Sequence, residues 1–287
     1  MSEKVCTGQV CIVTGANSGI GYHTAKGLAE KGATVVMVVR NMDKGEIAMA
    51  EIKQESGSSS IYLMHCDVSD IASVDRFTDA FKERFMCLNV LINNAGAAFS
   101  KRHETEVGFE KTIATNYLGM FRLTHNLLPT LRETSPSRVI NISSGMHKTG
   151  KINFDDIMME KGYGSMKQYA NSKLIVTTYT YALARRIVGT GVTANVVEPG
   201  FVATNLGTNM GGLRDRIAFA IVRPIQTSAE KGAETSIWAA TASELEKVSG
   251  KTFAKKREAS SADIAHDEEV QDKLWDWTLI TLRGQPD

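Results

Sequence analysis

The sequence predicts an α/β fold, a doubly wound parallel sheet with helices on both faces. Three observations predict it. Short β-branched runs alternate with longer helical patterns along nearly the whole chain. The runs are almost continuously apolar, as strands covered on both faces must be. Gly, Asn, Ser or Pro residues follow the runs closely, at the strand ends where ligands of such sheets collect. Right-handed crossovers then favour a single Rossmann-like winding. The 287 residues, 43% hydrophobic and 23% charged, suffice for one large core and are read as a single domain, 1–287.

Val10 to Thr14 reads as a buried strand ending at Gly15, and Ile20, Thr24 and Leu28 then recur as a helix face would. Ala33 to Val39 is the second strand, and a helix fits Asp43 to Gln54. Ile61 to Cys66 is the third, followed by Asp67 and Asp70 and a helix carrying Val74, Phe77 and Phe81. Val90 to Ile92 ends at Asn93-Asn94-Ala95-Gly96, and Tyr117 to Leu128 is helical. Arg138 to Ile142 is a strand, Met166 to Val188 a long helix, and Thr193 to Val197 a strand before Pro199-Gly200.

Several function classes drop out on composition. A net charge of +1 gives no electrostatic case for nucleic acid or an anionic membrane. Cys6, Cys11, Cys66 and Cys87 have no zinc-ligand spacing, so no metal is expected, and they read as reduced thiols of a cytosolic protein. The N-terminus is too short and polar for a signal peptide. The longest apolar run, Ile217 to Val222, is far below the ~20 residues of a membrane span. The expectation is a soluble, cytoplasmic protein with no integral membrane segment; peripheral membrane association stays open.

Thr14-Gly15-Ala16-Asn17-Ser18-Gly19-Ile20-Gly21 is a glycine-rich turn between a strand and a helix. Glycine takes positive φ and lets the backbone approach a phosphate, and the helix start offers free N–H groups to a pyrophosphate. Its spacing, Gly-x3-Gly-x-Gly, differs from the common dinucleotide fingerprint, and such turns also join strands to helices without any ligand. The second strand ends in Val39-Arg40-Asn41, with no carboxylate until Asp43. A carboxylate there would suit the ribose 2′-hydroxyl of NAD, whereas Arg40 suits a 2′-phosphate. NADP(H) is therefore the expected cofactor. Asp67 is read either as an acceptor for the adenine amino group or as a helix cap.

Tyr169 and Lys173 are four residues apart, on one face of a helix. A phenol is a poor acid or base at neutral pH, and a close cation favours its phenolate. Lowering the pKa from ~10 to ~7 takes about 4 kcal/mol of differential stabilisation. Ser143 and Ser144 end the preceding strand, where a hydroxyl can donate to a carbonyl oxygen. No Gly-x-Ser-x-Gly elbow surrounds them, so despite nearby His147 a hydrolase reading is disfavoured.

Taken together, these motifs resemble the short-chain dehydrogenase/reductase family over nearly the whole chain. The glycine turn matches its cofactor motif, Asn93-Asn94-Ala95-Gly96 its motif after the fourth strand, and Asn116 its active-site Asn. Asn141-Ile142-Ser143-Ser144 matches its serine motif, Tyr169 and Lys173 its Tyr-x3-Lys pair, and Pro199-Gly200 with Thr204 its nicotinamide segment. The resemblance implies Tyr169 as general acid for carbonyl reduction and base in reverse. It implies Lys173 as holder of the nicotinamide ribose, Ser144 as orienter of the substrate oxygen, and Asn116 as holder of a water that links Lys173 to solvent. The implied cofactor-binding set is Gly15, Asn17, Ser18, Gly19, Ile20, Gly21, Arg40, Asp67, Val68, Asn93, Ala95, Gly96, Tyr169, Lys173, Pro199, Gly200, Val202 and Thr204.

Within the family, Val39 to Gly45, the insert from Gly145 to Gln168, Gly232 to Thr235 and Ser249 to Lys251 resemble the retinol dehydrogenase-like branch. No hydrophobic N-terminal anchor, which many members of that branch carry, stands in the sequence. The stretch 201–225, with Leu206, Met210, Leu213, Ile217, Phe219 and Ile221, reads as a substrate loop or lid suited to an apolar molecule, or as side chains packed on the domain. The expected activity is interconversion of a carbonyl and an alcohol by hydride transfer, on a lipophilic aldehyde or ketone. The resemblance makes a homo-oligomer plausible. Three rivals stand beside this reading: a catalytically silent NADP(H)-binding sensor or scaffold, a protochlorophyllide-like double-bond reductase, and an NAD-dependent oxidation with Arg40 as a bystander.

Overall fold

The protein is described from a computed structural model, over residues 5–200 and 228–283. The expected substrate loop at 201–225, with Val202 and Thr204, lies outside the described residues.

Strand β1 (Val10–Thr14) leads through the glycine turn into helix α1 (Gly19–Glu30). Then follow β2 (Thr34–Val39), α2 (Met42–Ser56), β3 (Ile61–His65), α3 (Ile71–Arg84) and β4 (Val90–Asn93). After β4 come a short α4 (Lys111–Ile113), a π-helical turn (Ala114–Leu118) and α5 (Gly119–Glu133). Next are β5 (Ser137–Ile142), a 3-10 turn (Gly145–Thr149), α6 (Ser165–Arg186) and β6 (Val192–Glu198). Beyond residue 227 lie α7 (Ala229–Thr241), β7 (Thr252–Ala254), β8 (Arg257–Glu258) and α8 (Glu268–Arg283).

Among the described residues the strands form one sheet in the order β3-β2-β1-β4-β5-β6-β7-β8. Every pair from β3 to β7 is parallel, and only the last, β7 with β8, is antiparallel. Alternation along each strand divides the core into two layers. Ile12, Val36, Val38, Leu91 and Val139 pack with Phe81, Phe121, Val176 and Leu274 from α3, α5, α6 and α8. Cys11, Val13, Val35, Met37, Ile92 and Ile140 pack with Leu28, Ile52 and Ala239 from α1, α2 and α7. Each such large aliphatic or aromatic side chain contributes roughly 1.5–3 kcal/mol by leaving water. That burial on both faces is why the strands read as continuous apolar runs.

Two features depart from the sequence expectation. Residues 114–118 form a π turn, so α5 proper begins at Gly119 rather than Tyr117. The Val68 carbonyl occupies the space where a Cβ at Gly119 would stand, so only glycine lets the helix start approach the end of β3 so closely. The strands β7 and β8, three and two residues long, are also additions. They are too short to show a period of two.

Because β1 to β6 run parallel, their carboxyl ends meet at one edge of the sheet. Gly15, Arg40, Asp67, Asn94, Ser144 and Pro199 all lie within two residues of those ends.

Candidate active site

The glycine turn is locked to the end of β4. The Thr14 hydroxyl accepts the N–H groups of Asn94 and Ala95, each at 2.9 Å, and the Asn94 side chain donates to the Thr14 carbonyl at 2.8 Å. Gly15, at φ 66°, leaves a Cβ site only 3.1 Å from the Ala95 Cα. Gly19 starts α1 at φ 57°, and a Cβ there would meet open space.

The N-terminus of helix α1 differs from those of α2, α3 and α7. Asn41 caps α2, Asp70 caps α3 and Ser228 caps α7 through side-chain hydrogen bonds. Ser18 makes no cap hydrogen bond at the start of α1, and no acidic residue stands in its first turn. The first N–H groups and the positive end of the helix dipole are thus left for an anion. Asn17 and Gly19 are half-buried in this turn, Ser18 is exposed, and Ile20 and Gly21 are buried beneath it.

At the end of β2, Arg40 is exposed and its guanidinium lies 3.6 Å from the Asp67 carboxylate. The other Asp67 oxygen accepts from the Ser69 N–H at 2.9 Å and the Ser69 hydroxyl at 2.7 Å. The cap of α3 is Asp70, whose side chain accepts the Ala72 N–H, so Asp67 holds a local turn instead. Val68 is half-buried beside it.

Asn93 points into the sheet's own polar network. Its amide donates to Asn141 at 2.8 Å and Thr124 at 3.0 Å, and its Oδ1 has no partner among the described residues. Asn116, on the π turn, accepts the Ala97 N–H at 2.7 Å. It donates to the Ala97 carbonyl at 3.0 Å and to the Ser172 hydroxyl at 2.9 Å. A Cβ on the exposed Gly96 would stand 3.4 Å from both the Asn116 Oδ1 and the Lys173 Nζ. Gly96 therefore marks where these two side chains converge.

Tyr169 and Lys173 lie on α6 facing the end of β5. Both are buried, 7% and 4% exposed, which decides their chemistry. Burial pushes the Tyr169 phenol up to about 12, while the Ser144 hydroxyl beside it pulls the other way. Burial brings the Lys173 ammonium down to about 8. Lys173 donates to the Ile142 carbonyl at 2.8 Å, and its Nζ lies 5.6 Å from the centre of the Tyr169 ring. The sequence expectation of a phenol depressed toward neutrality is not what these residues produce by themselves. Desolvation of the phenolate dominates, and Tyr169 holds its proton at neutral pH.

Ser144, two residues past β5, caps the 3-10 turn, accepting the Met146 N–H at 3.3 Å. His147 does not reach its hydroxyl; His147 Nδ1 lies 2.8 Å from the Ser144 backbone carbonyl. That geometry lacks the nucleophile–base hydrogen bond of a hydrolase. Pro199 and the exposed Gly200, at φ 83°, follow β6 at the same edge.

Sequence reasoning missed two buried groups here. Glu198, 8% exposed, faces His147 at 3.3 Å. Glu110 is fully buried and accepts the N–H groups of Thr112 and Ile113 and the Gln168 amide, tying the 145–168 insert to the helix that carries Asn116. A Glu beside Pro199 and a Glu just before a helix both look solvated in a linear reading.

Comparison with known proteins adds a family. The model described as short chain dehydrogenase matches residues 9–215. Human Retinol dehydrogenase 11 is 39% identical, over 100% of this chain and 91% of that protein. A crystal structure of an uncharacterized protein from Mycobacterium paratuberculosis superposes with a TM-score of 0.79 at 30% identity, covering 96% of this chain and 94% of that one. The Pseudomonas aeruginosa RhlG/NADP active-site complex superposes at 0.71 with 25% identity, covering 89% and 98%.

Proposed function

The chain belongs to the short-chain dehydrogenase family, in its retinol dehydrogenase-like branch, and from that premise we propose that it is an NADP(H)-dependent oxidoreductase interconverting a lipophilic aldehyde or ketone with its alcohol. Oxidoreduction of carbonyls and alcohols is what membership carries; the cofactor, the substrate class and the residue roles are this reading's own. One observation supports it above the rest. A buried, protonated phenol lies beside the Ser144 hydroxyl with the Lys173 Nζ 5.6 Å from its ring centre, at the sheet edge that also carries an uncapped helix N-terminus.

The residues present fit the cofactor. The open space at Gly19 and the free start of α1 suit a pyrophosphate. Arg40, exposed and, among the described residues, held by one weak ion pair at 3.6 Å, is available to a 2′-phosphate. Lys173 would hold the nicotinamide ribose, and Pro199 and Gly200, continuing toward Val202 and Thr204, would line the ring. The bound nicotinamide supplies the hydride. In the reductive direction the Ser144 hydroxyl and the Tyr169 phenol both donate to the substrate oxygen, and the Tyr169 proton passes to it as its charge develops. Lys173, beside the ring, then stabilises the phenolate left behind. Asn116 sets the register of this helix face through Ser172 and Ala97.

The test is the initial rate of NADPH oxidation in the dark over a panel of aldehydes and ketones, with an NADH arm and Tyr169→Phe as controls. Turnover of a lipophilic carbonyl, preference for NADPH and a loss of at least ~100-fold in Tyr169→Phe are expected. NADPH binding without turnover would favour the sensor reading, and turnover only in light would favour the double-bond reductase.

A further inference from the structure

Behind the Ser144 hydroxyl lies a buried ionisable pair that the proton transfer above does not use. His147 is 0% exposed, and its two ring nitrogens have different partners. Nε2 accepts the Ala262 N–H at 3.1 Å, and a ring nitrogen that accepts cannot carry a proton. The proton therefore sits on Nδ1. Nδ1 faces two acceptors, the Ser144 carbonyl at 2.8 Å and the Glu198 Oε1 at 3.3 Å. The Glu198 Oε1 is buried and makes no hydrogen bond among the described residues, so His147 is the polar group set against it. The second carboxylate oxygen lies toward Gly145, 3.5 Å from where a Cβ of that residue would stand.

Three segments thus meet on one imidazole: the turn after β5, the end of β6 and the loop after β8. The loop is itself anchored, because the Ser261 hydroxyl lies 2.8 Å from both the Tyr181 hydroxyl and the His266 Nε2. A carboxyl at this depth is costly unless it is set against a donor, and the donor it faces among the described residues also grips the backbone of Ser144.

We propose that His147 and Glu198 are positioning residues for Ser144. The Ala262 N–H and the Ser144 carbonyl fix the Nδ1–H tautomer, the Glu198 carboxylate at 3.3 Å holds the ring in place against them, and the ring holds the Ser144 backbone so that its hydroxyl stays beside Tyr169. The proposal rests on the carbonyl-reductase reading, in which the Ser144 hydroxyl orients the substrate oxygen. An imidazole whose orientation is fixed by a carboxylate outside the reacting set is a recurrent way to fix a first contact.

A double-mutant cycle separates this role from a merely structural one. Glu198→Leu and His147→Gln are each measured alone and in a Ser144→Ala background, with Glu198→Gln as the conservative rescue and thermal melts as the folding control. For carbonyl reduction, each single variant is expected to lower kcat by about 10- to 100-fold, with the NADPH Kd within about twofold. In the Ser144→Ala background the same substitutions are expected to cost under about twofold, and Glu198→Gln is expected to recover most of the loss. If Glu198→Leu does not fold, His147→Gln alone completes the cycle. Equal losses in both backgrounds, or no loss in either, would overturn the couple and leave the reductase reading standing. Absence of turnover by the unmodified chain would overturn both. Independently of turnover, the 1H–15N spectrum of the His147 ring is expected to show the Nδ1–H tautomer, and an Nε2–H tautomer would sink the proposal.

Discussion

Lys173 shows how a single side chain couples chemistry to stability. Its ammonium is fully desolvated on α6, and its pKa falls from 10.5 to about 8. The unfolded chain keeps that proton up to about 10.5, so between the two values the unfolded state binds more protons than the folded one. Stability from this group therefore rises with pH across the window, and below it the buried charge is a cost. Urea unfolding at pH 8.0 and 9.5 is expected to show a rise of about 1 kcal/mol per pH unit from Lys173, absent in Lys173→Met. The same variant is expected to be more stable at pH 7 and close to inactive as a reductase. Identical pH slopes in both proteins would show that the ammonium is not desolvated. At this scale the sequence was legible in identity but not in environment. The spacing of Tyr169 and Lys173 is visible in the chain, whereas the direction of the phenol's shift depends on burial against Ala98 and Met146, which no local pattern encodes.

At the scale of elements, the start of α1 is the informative case. A helix N-terminus without a side-chain cap forgoes about 1 kcal/mol, and α2, α3 and α7 do not forgo it. Ser18→Asp supplies both a cap and a negative charge favoured by the dipole. The variant is expected to melt a few degrees higher, and its NADPH Kd, measured by fluorescence titration, is expected to rise by about tenfold or more, because its carboxylate would occupy the N–H groups and repel the pyrophosphate. Raised stability with unchanged affinity would show that the helix end is not the phosphate site. Elements such as β1 and β2 stood out in the sequence because burial on both faces makes them almost continuously apolar. The π turn at 114–118 did not, because it inserts a wider backbone ring without changing the helical residue preferences around it. It sets Asn116 against Ala97 and Ser172, so the least legible element carries an expected active-site side chain.

Across the whole molecule, the two faces of the sheet are sealed differently. Helices α1, α2 and α7 cover one face mostly with small and aliphatic residues, with Trp238 of α7 edge-on to Phe253 of β7 at 5.3 Å. The other face carries an aromatic cluster, in which Trp275 of α8 stacks on Tyr179 of α6 at 5.8 Å and meets Phe121 of α5 edge-on at 5.2 Å. The Arg186 guanidinium lies 4.3 Å from the Trp275 ring centre, and Asp272 ties both Arg185 and Arg186 to α8. The Tyr117 hydroxyl, 2.5 Å from that of Thr278, closes the contact next to Asn116. Helix α8 thus braces α6 from the side away from the edge where Tyr169 and Lys173 act. Trp275→Ala is expected to cost about 2 kcal/mol, below the 3–5 kcal/mol of a fully buried aromatic because the indole is partly exposed. Its urea midpoint should fall with the slope unchanged, while kcat/KM at 20 °C stays within about twofold, since α6 keeps its own packing on β5 and β6. A matching loss of kcat at a temperature well below the melting point would instead mean that α8 sets the tilt of α6, and that the catalytic pair depends on a contact made on the far side of the helix that carries it.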